Sequence, residues 1–281
     1  MKEKGFFKKL AWLRMPPRLV LVVSLLLFYF LVSIAAKCLG RNARRAEARQ
    51  MAINAFFARP ILWIMGVRPV FGRFPSGESL RGALVISNHL SYLDILIYIS
   101  TGLPLTFITS VEIKHTPVLG MITQTGGALF IERRASKRSR TQLADEIAEV
   151  QGSLRKGRAI MLFPEATTGN GEQVLPFKSA FLQALIRESS GQAQHEPSRI
   201  EMFVIQYLKI GKGRIRKSNR DRIFWYGGMT FFPHFFRLLT LPRIDVKVNA
   251  LPGITSGDWK DRKSLAAHLH GVISRRFHRV R

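Results

Sequence analysis

The stretch Asn88-His89-Leu90-Ser91-Tyr92-Leu93-Asp94 sets an imidazole and a carboxylate five positions apart, between two apolar runs. Imidazole exchanges protons near neutral pH, and a carboxylate on one ring nitrogen fixes the tautomer and makes the other nitrogen a better base. On one continuous helix residues at this spacing point away from each other. The two groups meet only if His89 lies in a turn and Asp94 in the first turns of the helix that follows. Of the seven histidines, only His89 has an aspartate five positions later. The same spacing also suits a helix-start histidine in a capping network, with no chemistry attached.

Two further stretches carry chemistry. In Gly126-Gly127-Ala128-Leu129-Phe130-Ile131-Glu132-Arg133-Arg134, a short strand runs from glycines to arginines. An arginine at a strand end is suited to a bidentate grip on phosphate, which makes Arg133 a candidate clamp. Lys137, Arg138 and Arg140 follow, so a solvated basic loop fits the residues too. In Phe163-Pro164-Glu165-Ala166-Thr167-Thr168-Gly169-Asn170-Gly171, a carboxylate, two hydroxyls and two glycines follow a strand. Glu165 is placed to orient substrate hydroxyls or a neighbouring arginine; an ordinary turn is the plainer alternative. Lys178, after Pro176-Phe177, adds positive charge nearby. The sequence holds no G-x-x-x-x-G-K-[ST] or G-x-G-x-x-G phosphate loop and no H-E-x-x-H or clustered His/Cys spacing, so no cofactor or metal is expected.

The elements that position these groups alternate between short strands and amphipathic helices from Arg68 on. Ala83–Ile86 reads as a buried strand and Ile95–Ile99 as a buried helix. A strand end feeding a helix start is where α/β folds place their chemistry. Strands are also expected over Val70–Arg73, Leu105–Thr109, Ala128–Ile131, Ala159–Phe163, Met202–Leu208 and Asp245–Leu251. Leu143, Ile147, Val150 and Leu154 share a helical face, Lys178–Arg187 reads as helix, and Leu265 to Phe277 as a closing helix. Surface loops are expected at Ser189–Ser198 and Gly211–Arg222. The fold class is therefore α/β, a largely parallel sheet flanked by helices, over residues 68–281.

Residues 1–67 read as a membrane-anchoring helical segment. Leu19–Ala36 is an uncharged run of eighteen residues, about 27 Å as a helix and at the lower limit for a membrane span. No small-residue cleavage site follows it, which favours an anchor over a secretory signal; a buried core helix is the alternative. Basic residues flank both sides, so the positive-inside rule does not orient it. Phe56 to Val67, interrupted by Arg59-Pro60, suits an interfacial or re-entrant segment. Forty-four basic residues against eighteen acidic ones give a net charge of +26. Such a surplus points to a nucleic acid or an anionic membrane face, and the mean hydropathy of +0.05 favours the membrane. The single Cys38 excludes an intrachain disulfide and a cysteine zinc cluster.

Taken in order, the three stretches resemble the glycerophospholipid acyltransferase family, in particular bacterial 1-acyl-sn-glycerol-3-phosphate acyltransferases. Its N-H-x4-D motif matches Asn88-His89 through Asp94. Its G-x-x-F-I-x-R motif matches Gly127, Phe130, Ile131 and Arg133, and its F-P-E-G-T motif Phe163-Pro164-Glu165-Ala166-Thr167. The likeness spans roughly residues 68–251. It implies transfer of a fatty acyl group from acyl-CoA or acyl carrier protein to a lysolipid hydroxyl. His89 would be the base, Asp94 its orienting partner, and Arg133, Glu165, Thr167 and Lys178 the substrate-binding set, with backbone amides near Gly169 as oxyanion donors. It also implies a protein of the inner membrane with its catalytic domain facing the cytoplasm, on an anionic lipid surface. Two departures stand out. Ala166 replaces the third motif's glycine and is expected to alter that loop. Met202 stands where a fourth motif has proline and bears on one wall of the acceptor pocket. Trp225-Tyr226-Gly227-Gly228-Met229 resembles a subgroup that includes lyso-ornithine lipid acyltransferases, which keeps a second acceptor open. A non-enzymatic, membrane-anchored basic protein would explain the charge but leave the three motifs without a purpose.

Overall fold

The structure is a computed structural model that describes residues 11–39, 42–114, 119–125, 127–132, 139–186 and 199–279. Arg133 and the loop expected at Ser189–Ser198 lie outside the described residues. At the centre is an eight-stranded sheet. Its strands are β1 (Val67–Phe71), β2 (Leu84–Ser87), β3 (Leu105–Ser110), β4 (Leu129–Ile131), β5 (Ala159–Leu162), β6 (Arg199–Ile210), β7 (Gly213–Arg214) and β8 (Ile244–Thr255). The order is β1-β8-β6-β2-β5-β3-β4, with the short β7 paired to β6. All pairings are parallel except β6 with β7 and β6 with β8. Strands β2 and β5 are buried along their whole length, as an unbroken apolar run in a helix-covered parallel sheet requires. β8 begins by alternating, with Ile244, Val246 and Val248 turned to the core, so one face stays wetter.

Two long helices precede the sheet, α1 (Met15–Cys38) and α2 (Ala43–Ile64). Pro16 and Pro17 open α1 where their missing N–H groups cost nothing, and the Asn42 side chain caps α2 by accepting from Arg45 N at 3.2 Å. The helices pack antiparallel through a polar seam. Tyr29 Oη donates to Asn54 Oδ1 at 3.0 Å, Gln50 Nε2 to Ser33 Oγ at 3.1 Å, and Arg49 to the Ala36 carbonyl at 3.0 Å. By length and composition, α1 is sufficient to cross a membrane. Its outer side leaves Val20, Leu27, Phe28, Leu31 and Ile34 exposed.

Helix α2 corrects the reading of the Phe56 to Val67 region. Arg59-Pro60 does not break the segment; Pro60 sits inside one continuous helix. An interior proline costs roughly 3 kcal/mol. Burial of Phe57, Ala58, Ile61 and Leu62 offsets it, and Arg59 Nε donates to the Ser100 carbonyl at 2.9 Å. At the other end of α2, Glu47 pairs with Arg158 at 3.1 Å. The hairpin thus lies along the sheet domain, fastened by α2 at several points.

Helix α3 (Leu93–Ser100) follows β2; α4 (Val111–Lys114) and α5 (Leu119–Thr125) lie between β3 and β4; α6 (Arg140–Arg155) precedes β5. The segment expected to be helical from Lys178 is instead a short 3-10 turn, Ala180–Leu185. Four of its six residues are buried, a density that a one-faced α-helix does not supply. Helix α7 (Phe231–Leu239) has no counterpart in the sequence reading. Its Phe-Phe-Pro-His-Phe-Phe run is poor in helix formers, and Pro233 is tolerated because it falls in the first turn. Helix α8 (Arg262–His278) closes the chain, capped by the Asp261 carboxylate. Arg18 of α1 donates to the carbonyls of Leu239, Leu241 and Pro242, which fixes the start of α1 to the end of α7.

Candidate active site

The site is built where β2 ends. Asn88 is fully buried and bridges to the neighbouring strand: its Nδ2 donates to the Ile205 carbonyl at 3.0 Å and its Oδ1 accepts from Ile205 N at 2.9 Å. The amide thereby takes the place of a ladder rung and turns the chain out of the sheet. His89 comes next, in the turn, and Asp94 lies in the first turn of α3.

Asp94 is the hub. Its side chain is wholly buried and accepts four hydrogen bonds. Oδ2 receives His89 Nδ1 at 2.9 Å, Leu90 N at 2.6 Å and Ser91 N at 3.0 Å; Oδ1 receives Tyr207 Oη at 2.6 Å. Leu90 N, Ser91 N and the Tyr207 hydroxyl are donors, so the carboxylate oxygens act as acceptors only. An ionised carboxylate offers only lone pairs, so His89 Nδ1 carries the proton and Nε2 is left basic. Nε2 has no hydrogen-bond partner among the described residues, and 15% of the His89 side chain is solvent-exposed. The ring is stacked on Phe163, centroids 4.1 Å apart and planes 14° from parallel, so it has little freedom to rotate away.

Glu165 ties the third motif to the first. Its Oε1 accepts from His89 N at 2.6 Å and its Oε2 from Leu175 N at 2.7 Å. Both oxygens are thus spent on backbone amides, and the residue is 2% exposed. Burial pushes its carboxyl up, to about 8; the amides of Leu175 and His89 pull the other way and the Asp94 charge adds to the rise. Gly169 N donates to the His89 carbonyl at 2.8 Å. That amide is therefore engaged in holding the histidine and is not free as an oxyanion donor, a correction to the expectation from sequence. Gly171 lets Phe224 approach: a Cβ there would lie 2.1 Å from the Phe224 ring. Trp225 N in turn donates to the Leu90 carbonyl at 3.1 Å, and Ser91 Oγ to the Ile223 carbonyl at 2.9 Å. The loop before α7 is thus fastened beside the histidine.

The structure brings His89, Asp94 and Glu165 together. Thr167 is exposed, and Lys178 is also exposed, with its backbone N on the Pro164 carbonyl at 2.7 Å. Met202, in the proline position of the fourth motif, is 1% exposed in β6 and paired with Ile86 and Leu251, so it serves the core. Ala166 keeps the backbone its glycine counterpart would adopt, at φ 56°, where an L side chain is strained. Ala166→Gly should therefore raise stability by roughly 0.5–1 kcal/mol, the relief of strain less glycine's entropy cost. A thermal melt showing a Tm at or below wild type would overturn this.

Sequence reasoning missed Tyr207, which stands far from Asp94 along the chain and carries no local signal. Tyr207→Phe removes one donor, and should cost roughly 10–150-fold in kcat, the range of one hydrogen bond to a charged group. Steady-state kinetics beside denaturant unfolding check it: an unchanged kcat with lowered stability would reduce Tyr207 to a structural role.

A buried carboxylate that orients an imidazole at the end of a parallel strand is a site for activating a hydroxyl. The acyltransferase family model matches residues 73–192. A lyso-ornithine lipid O-acyltransferase of Brucella abortus is 30% identical over 260 residues, 91% of this chain and 92% of that protein. A 1-acyl-sn-glycerol-3-phosphate acyltransferase of Neisseria meningitidis serogroup B is 29% identical over 239 residues, 83% of this chain and 86% of that protein. The crystal structure of PlsC, the 1-acyl-sn-glycerophosphate acyltransferase of Thermotoga maritima, superposes with a TM-score of 0.62 at 16% identity, covering 94% of this chain and 97% of that one. The chain belongs to the acyltransferase family and is an acyltransferase. The alternative of a non-enzymatic basic anchor protein gives way to that membership.

Proposed function

We propose that the protein moves a fatty acyl group from acyl-CoA or acyl carrier protein to the free hydroxyl of a membrane lysolipid, 1-acyl-sn-glycerol 3-phosphate first among them. The observation that carries this reading is the unpartnered Nε2 of a histidine whose Nδ1 is held by a buried aspartate. Nε2 takes the hydroxyl proton as the oxygen attacks the thioester carbonyl carbon. The tetrahedral intermediate collapses with cleavage of the carbon–sulfur bond, and the imidazolium returns the proton to the departing thiolate. No acyl-enzyme is needed. Glu165 acts by holding the His89 backbone, and Arg133, Thr167 and Lys178 supply the acceptor's polar contacts. The apolar side of α1 and the basic surface hold the enzyme on the cytoplasmic face of the inner membrane.

A second acceptor, lyso-ornithine lipid, is favoured by the stretch Trp225–Met229. It is bonded to the catalytic turn, Trp225 N donating to the Leu90 carbonyl beside His89. The test is purified enzyme offered each lysolipid with each donor, products read by mass spectrometry. Turnover of lyso-ornithine lipid alone would reverse the order of the two acceptors, and turnover of neither would sink the proposal.

A further inference from the structure

A second polar feature, whose lining includes none of His89, Asp94 and Glu165, lies where α1 meets α7. A cleft of about 340 Å³ is lined by Ala11, Trp12, Arg222, Arg237 and Thr240. Neither arginine side chain has a carboxylate or hydrogen-bond partner among the described residues, although other arginines nearby do: Arg220 pairs with Glu172 and Arg243 with Asp245. Both arginines are solvent-exposed, and partial burial in the cleft lowers the pKa of Arg222. Two unpaired guanidinium groups facing one cleft are a site for an anion with several oxygens, and phosphate matches their fork geometry.

The surroundings say where that phosphate resides. Trp12 is 50% exposed, and the two helices that frame the cleft expose Val20 and Leu27 on α1 and Phe232 on α7. Arg18 locks these two helices together through the carbonyls at the end of α7, so the cleft and the apolar surface hold a fixed relation. An amphipathic indole beside arginines, at the edge of an exposed apolar face, has the composition of a membrane–water boundary.

We propose that this cleft binds the headgroup phosphate of an anionic membrane lipid, as a site separate from the catalytic centre. The inference rests on the membrane attachment proposed above. It adds a defined headgroup contact to what would otherwise be a diffuse attraction between a basic protein and a charged surface. Bound lipid there would orient the enzyme on the bilayer, with α7 and the loop before it, which is bonded to the His89 turn, set at a fixed height.

The test uses the full chain in vesicle flotation, with phosphatidylcholine alone and with phosphatidylcholine containing phosphatidylglycerol. Arg222→Gln/Arg237→Gln is compared with Arg214→Gln/Arg216→Gln, which removes equal charge from another surface. The cleft variant should lose roughly tenfold or more of the gain that phosphatidylglycerol gives, in line with loss of charge-assisted bonds. Its binding to neutral vesicles and its turnover of a soluble short-chain lysolipid should match wild type. Equal losses in both double variants would overturn the site in favour of diffuse charge. Loss of soluble turnover in the cleft variant would place the arginines in the acceptor site instead. Full displacement of wild type from vesicles by inorganic phosphate, beyond the effect of chloride at equal ionic strength, would assign the cleft to free phosphate. Wild type that binds neither vesicle would overturn the attachment itself, whereas wild type that binds and a cleft variant that binds identically would overturn the cleft alone.

Discussion

Replacing His89 with alanine should lower kcat/KM by roughly 10²–10⁴, the usual contribution of a positioned general base. The rest of the protein should hardly notice. The imidazole is stacked on Phe163 at the surface of the site, while the backbone N–H and carbonyl that Glu165 and Gly169 hold remain in the variant. Binding of the acyl donor should therefore persist, and the loss should fall on kcat. Near wild-type turnover from the purified variant would remove His89 from the mechanism.

Asp94→Asn should be as damaging to activity and, unlike the histidine change, should also weaken the fold. The carboxylate accepts from four donors. An asparagine keeps one oxygen and places an NH₂ where the other stood. Turned one way, the NH₂ faces the His89 ring and the amides of Leu90 and Ser91; turned the other way, it faces the Tyr207 hydroxyl. The first arrangement sets donor against donor and drives the ring to the tautomer with its proton on Nε2, where it is useless as a base. The second orphans only the hydroxyl, and is the arrangement the variant should adopt, but without the negative charge that stabilises an imidazolium. A fall in kcat of roughly 10²–10⁴ is expected, with a stability loss of about 1–3 kcal/mol for the disturbed buried donors. Denaturant unfolding and steady-state kinetics together check it. Retained kcat with lowered stability would mean that the aspartate is a cap and nothing more.

The junction at His89 was legible because its signals are local. An apolar run ends, polar residues crowd together, and a second apolar run begins, so strand, turn and helix follow from pattern alone. The partners of those residues were less legible. Tyr207 and Asn88 act across strands, and contacts of that range leave no mark in the neighbouring sequence. Glu165 was visible as a carboxylate in a tight loop, but its bonds go to backbone amides, which every residue possesses. Pro60 misled because the breaker rule speaks for an isolated helix, whereas α2 is held from outside by the core. Helix α7 was invisible for the converse reason: its residues are poor helix formers, and packing supplies what propensity lacks. Ala166 is the instructive intermediate, since the loop keeps a left-handed backbone even where the residue disfavours it.

Among the described residues, strand β1 is the end strand of the sheet and its one neighbour there is β8, far along the chain. The Arg18 contacts to Leu239 and Pro242 span the same long interval. During synthesis, then, the helical hairpin and α3 can pack early, but β1 has no strand to pair with until β8 has left the ribosome. Contacts of such separation are slow to form, and an unpaired edge is prone to association. An apolar helix that reaches a bilayer early would keep the waiting strand apart from other chains. The hairpin would then guard the newborn protein before it serves the finished one, and the final step of maturation would be the arrival of β8 at an edge already parked on the membrane.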